Sequence, residues 1–147
     1  MRAEGAYVDT SVLGAYYCPE PLSAAAERAL KKLRATVISP LSEVEFASLI
    51  SRKRRLGELG AGQARQVLDL FESHVAEGYY RRMELTTEHF MRARQLIALP
   101  GSTLVTLDAV HLASAITASL PLLTADKDLA RAAKHHGHSV MLVSQPR

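Results

Sequence analysis

A chain of 147 residues, 48% hydrophobic and 22% charged, has room for one domain with a substantial buried core and excludes a disordered or fibrous protein. The single cysteine, Cys18, excludes an internal disulfide framework and suits a reducing, cytoplasmic setting. Eighteen Lys and Arg against 15 Asp and Glu give a formal charge of +3, which permits a polyanionic partner without demanding one. The opening "MRAEGAYVD" lacks the apolar core of a signal peptide, and the apolar stretch 104–123 carries Asp108, His111 and Pro121, so neither secretion nor a membrane span is expected.

Taken in order, the chain alternates short β-type runs with helical segments. The expected strands are "AYVD" (6–9), "ATVIS" (35–39), "YRRMEL" (80–85), "PLLTAD" (121–126) and "HSVMLV" (138–143). Between them, Leu22, Ala25, Ala26, Ala29, Leu30 and Leu33 recur at helical spacing, as do Val67, Leu68, Phe71 and Val75, and later Val110, Ala113 and Ile116. Pro21 marks a helix start, and Gly57 and Gly137 mark helix stops. Thr86 or Thr87 is the expected cap of the helix through "EHFMRARQLI", although His89 or Phe90 stands where a full capping box would place Glu or Gln. With no repeat and no long linker, residues 1–147 read as a single α/β domain, three layers with a mainly parallel central sheet flanked by helices.

In such sheets ligands bind beyond the carboxyl ends of the strands. Asp9 ends the first strand and Asp126 ends "PLLTAD", so two acids from opposite halves of the sequence are expected at one edge. Glu45 and Asp108 stand inside otherwise apolar helical stretches. Each acid also has a plain structural role: Asp9 and Asp126 as helix caps, Asp108 beside a helix dipole, Glu45 on a half-buried rim. Capping and catalysis are compatible at a strand-to-helix junction. Two carboxylates about 4 Å apart repel by roughly 4 kcal/mol at an effective dielectric near 20, so convergence of all four requires protons or a divalent cation. An all-oxygen set favours Mg²⁺ or Mn²⁺ over zinc, and a hard ion of this kind activates water against a phosphodiester.

Four pieces of sequence, "YVDTSVL" (7–13), "SEVEFASLISRKRRLGEL" (42–59), "LDAVHLASAI" (107–116) and "LLTADKDLARAAKHHG" (122–137), together resemble a PIN-domain protein, most closely the VapC toxins of toxin–antitoxin pairs. The resemblance covers nearly the whole chain in order. It implies a PIN-like fold, Mg²⁺-dependent (or Mn²⁺-dependent) endoribonuclease activity, an RNA substrate, a cognate antitoxin and a homodimer. It also implies that Asp9, Glu45, Asp108 and Asp126 are the acidic catalytic set, with Asp9, Asp108 and Asp126 holding metal and Ser11 and Thr124 as supporting hydroxyls. Glu43 competes with Glu45, and Asp128 with Asp126; the residues following Glu45 fit the family better.

The basic run Arg52, Lys53, Arg54 and Arg55 is either a solvated helix end or, given the resemblance, a phosphate-contacting surface. Tyr16, Tyr17, Tyr79 and Tyr80 are candidate stacking platforms, with packing the plainer role; His111 reads as a packed neighbour of the acids rather than a ligand. His135, His136 and His138 suit a helix C-terminus and lack the partners of a zinc site. A phosphotransferase would want a second acid where Ser11 stands, and no phosphate-binding glycine motif follows the first strand. The remaining alternative is a non-catalytic RNA- or protein-binding member of the same fold.

Overall fold

A computed structural model describes residues 5–146. The strands are β1 (Ala6–Val8), β2 (Thr36–Ile38), β3 (Arg81–Arg82), β4 (Leu122–Thr124) and β5 (Val140–Leu142). They form one sheet in the order β3-β2-β1-β4-β5, with every pair parallel. The helices are α1 (Thr10–Tyr17), α2 (Ser23–Lys31), α3 (Pro40–Arg55), α4 (Ala61–Ala76), α5 (Thr87–Ala98), α6 (Thr106–Thr117) and α7 (Lys127–His135). All five expected strands are present, each trimmed to its central residues; the third keeps only Arg81 and Arg82, an exposed sheet edge with little apolar surface to bury.

Strand alternation divides the core. Ala6, Val8, Ile38 and Leu123 face a layer built from α1, α2, α3 and α4, in which Phe46 and Phe71 meet at 4.3 Å between ring centroids. Tyr7, Val37 and Leu122 face the opposite layer, built from α5, α6 and α7. Because the central strands are covered on both faces, they read as continuous apolar runs rather than alternating ones.

Local chemistry sets the helix ends. Pro40 follows Ser39 at the start of α3, where its fixed φ is helical and its missing N–H costs nothing. Thr86 caps α5, and His89 completes the box in place of the expected acid, its Nδ1 accepting from the Thr86 amide at 2.9 Å. Gly57 and Gly137 follow α3 and α7 with positive φ, as the sequence predicts for helix stops. Among the described residues, no helix is long and apolar enough to cross a membrane.

Candidate metal centre

Parallel pairing of β1 with β4 brings Asp9, just past β1, beside Thr124 at the end of β4. Asp9 is 6% exposed. Its Oδ2 accepts from Ser11 Oγ at 2.6 Å and from Thr124 Oγ1 at 2.9 Å. Both hydroxyls are themselves oriented: the Ala125 amide donates to Ser11 Oγ at 2.9 Å, and the Asp126 amide donates to Thr124 Oγ1 at 3.0 Å. Each hydroxyl therefore accepts one amide hydrogen and directs its own hydrogen at Asp9.

Glu45 comes from the second turn of α3. Its Oε1 accepts from Thr10 Oγ1 at 2.9 Å and from Nε2 of His111. His111 is fully buried on α6, and its Nδ1 meets the Tyr7 hydroxyl at 2.7 Å; that hydroxyl meets Ser39 Oγ at 2.8 Å. Burial alone would lower the pKa of His111, but the Glu45 hydrogen bond and the charges of Asp9, Glu45 and Asp108 outweigh it, and the pKa is raised. For Glu45, burial raises the pKa and the His111 contact overrides it, leaving the carboxyl below its ordinary value. The two shifts agree on a charged pair.

Asp108 lies in the first turn of α6, half-buried, with its pKa pushed up to about 6 by burial and then by the charges of Asp9 and Asp126. Asp126 caps α7: its Oδ1 accepts from the amides of Asp128 at 2.8 Å and Leu129 at 3.2 Å. The ligand atoms of Asp9, Glu45 and His111 lie within 4.8 Å of one another. Both nitrogens of His111 are engaged, by Tyr7 and Glu45, so the ring is placed as a support for Glu45. Asp9 Oδ1 and Glu45 Oε2 are left without a hydrogen bond, an oxygen pair that suits a hard divalent cation, whereas Asp108 and Asp126 fall outside the 4.8 Å group and line the cleft beside it. The raised pKa of Asp108 shows that burial and the neighbouring Asp9 and Asp126 charges disfavour its ionisation, a repulsion that a bound cation would offset.

The competing acids go elsewhere. Glu43 pairs with Arg82 at 2.7 Å, and the exposed Asp128 pairs with Arg131 at 2.9 Å. The basic run falls in the last turn of α3, two to three turns beyond Glu45, where Lys53 pairs with Glu58 and Arg55 donates to Ser51. Tyr17 packs between Phe46 and Phe71, and Tyr79 stacks on His74, at the edge of the sheet opposite the acids. Sequence reading passed over the support provided by Tyr7, Thr10 and Ser39. The one available signal was position: Ser39 follows β2 and Thr10 follows Asp9, at the sheet edge where Asp9 sits.

The family model of the PIN domain matches residues 6–135, and the chain belongs to this family. The fold is shared with VapC20 of Mycobacterium tuberculosis, described as a sarcin–ricin-loop-cleaving toxin, at 19% identity, with 95% of this chain and 98% of that one covered and a TM-score of 0.69. It is shared also with PAE2754 of Pyrobaculum aerophilum (21% identity, 95% and 84% covered, TM-score 0.67) and with VapBC2 of Rickettsia felis, solved with a promoter DNA fragment (15%, 95% and 99%, 0.67). No curated protein matches the sequence.

Proposed function

We propose that the protein is an endoribonuclease that uses Mg²⁺ or Mn²⁺, the toxin of a toxin–antitoxin pair. The observation that carries this reading is the buried group of Asp9, Glu45 and His111, whose ligand atoms lie within 4.8 Å of one another, bordered by Asp108 and Asp126, with the Asp9 and Asp126 charges helping to push the Asp108 pKa up to about 6. Asp9, Asp108 and Asp126 hold the ion. When bound, it supplies Lewis acidity, activating water and offsetting charge that develops on the phosphate. The chain's own groups do the rest. Ser11 and Thr124 fix the rotation of Asp9, and Thr10 and His111 fix Glu45 through Oε1, leaving its second oxygen free to orient or take a proton from water. The run Arg52 to Arg55 reaches only phosphates well away from the scissile bond.

A structural neighbour described as cleaving the sarcin–ricin loop makes RNA the polymer to test first. A structural neighbour from Klebsiella pneumoniae described as a toxin–antitoxin complex supports an antitoxin partner, and exposed Phe90, Met91 and Ile97 on α5 support an apolar contact between two copies, readable by sedimentation. An RNA substrate and the free thiol of Cys18 fit the cytoplasm. The deciding experiment is cleavage of a mixed structured RNA pool with Mg²⁺, Mn²⁺ or EDTA, beside Asp9→Asn. Metal-dependent cutting absent from the folded variant is expected. RNA binding without cutting would instead favour the non-catalytic reading.

A further inference from the structure

The largest cleft described, about 590 Å³, lies within the ~300–1,000 Å³ range of ligand sites. It begins at Asp108 and Asp126 and runs along α7. Asp128, Arg131 and His135 stand at steps of three and four residues and so share one face of α7, spanning about 10 Å of helix. The opposite wall is the segment 101–105, with Val105 63% exposed.

We propose that this cleft is the track for the RNA strand on one side of the scissile bond, with Arg131 and His135 contacting its phosphates. The inference rests on the nuclease reading above and names where its substrate lies. Charge gives the direction. The near end is acidic and admits a polyanion only with a cation bound; the far end carries the guanidinium of Arg131 and the imidazole of His135, a hydrogen-bond donor to phosphate, each exposed and each on the wall that starts at Asp126. Among the described residues Arg131 is held by Asp128, in a pair whose partners are 76% and 87% exposed, so exchange of Asp128 for a phosphate costs little. His135 is seated more firmly. Gly101 has φ +78°, and a Cβ built there would stand 3.2 Å from His135 Nε2, so glycine is what lets the opposite wall pass against the ring. Val105, 63% exposed and backed by the buried Leu104 and Leu129, offers an apolar surface for a ribose or base between the two ends. The basic run on α3 borders no part of this cleft.

The test uses a 5′-fluorescein mixed-sequence RNA 12-mer. Binding is read by anisotropy with Ca²⁺ across a salt series, and steady-state cleavage is read with Mg²⁺. Arg131→Gln/His135→Gln is compared with Arg28→Gln/Arg65→Gln, two exposed arginines on α2 and α4 that control for lost charge. All four side chains are exposed, so every variant folds, as urea unfolding will verify. The cleft pair is expected to weaken binding about 10-fold more than the control pair and to reduce the salt slope by about one to two contacts, with KM rising more than kcat falls. Equal binding, salt slope and KM for the two pairs, in a protein that does cut RNA, would overturn the track alone. A wild-type protein that neither binds nor cuts RNA would overturn the nuclease reading and the track with it.

Discussion

The β1–α1 and β4–α7 junctions are built alike and used differently. Both strands lie side by side, and each ends in an aspartate at the N-cap of the following helix. Asp126 does what an N-cap does: its Oδ1 takes two amides of α7. Asp9 occupies the same position, yet its side chain makes no cap bond to α1. Its carboxylate turns to two hydroxyls, both oriented by amides of the other junction. A capping acid has its charge partly answered by the helix. Asp9 takes no amide of α1; His111 Nε2 stands 4.0 Å from its Oδ1, and its charge is felt by both His111 and Asp108. Stabilising α1 therefore does not explain Asp9, whereas the proposed cation site does.

The largest expected effect tests that contrast directly. Asp9→Asn keeps an oxygen for Ser11 and Thr124 but removes the charge, so cleavage is expected to fall more than about 100-fold while the urea midpoint in EDTA holds or rises. Loss of both activity and stability would return Asp9 to a structural role.

Asp108 comes next. Its pKa is raised to about 6, so its ionisation costs the folded state stability as pH rises from the ordinary aspartate range through 6. Asp108→Asn is expected to stabilise the metal-free protein by about 1–2 kcal/mol at pH 7.5, a figure discounted because the carboxyl is only half-buried, and the advantage should vanish below pH 4. Urea titrations in EDTA at both pH values read it. His111 adds a second window: its raised pKa supplies stability that is full below the unfolded value near 6.5 and lost as pH rises through the folded one. His111→Gln should flatten that part of the metal-free stability profile above pH 6.5 and, because the His111 charge lowers the Asp108 pKa, move the Asp108 window to higher pH.

The parts of this architecture carried by local chemistry were readable from sequence. Apolar runs bounded by acids gave the strands, and Asp9 and Asp126 declared their edge by ending such runs. The choice between Glu43 and Glu45 turns on long-range packing: the two stand two residues apart in the same helix, α3, and the placement of Arg82 on β3 and His111 on α6 sends one outward and the other toward Asp9. The same holds for Tyr7, which reads as an ordinary strand residue until its hydroxyl is seen spanning Ser39 and His111, 32 and 104 residues away. Buried hydrogen-bond networks of this kind have no period in sequence. Thr86 shows the intermediate case, a cap whose partner His89 does the work of the expected Glu or Gln because a ring nitrogen at that position can accept the same amide.

The smallest effect sharpens the junction comparison most. Asp126→Asn retains an Oδ acceptor for the amides of Asp128 and Leu129, and Asn caps about as well as Asp, so its stability should stay within a few tenths of a kcal/mol of wild type. Asp126→Ala removes that acceptor and should cost about 1 kcal/mol. Both variants lose the negative charge that faces Asp108, so both should lower the pH at which Asp108 ionises, and both should weaken the Mg²⁺-induced rise in Tm by the same amount. Stability would then separate the two substitutions while metal response would not, which is the signature of one carboxylate serving the helix through Oδ1 and the ion through Oδ2. If Asp126→Asn kept the full Mg²⁺ response, Asp126 would be a cap only, and the two junctions would differ completely in use.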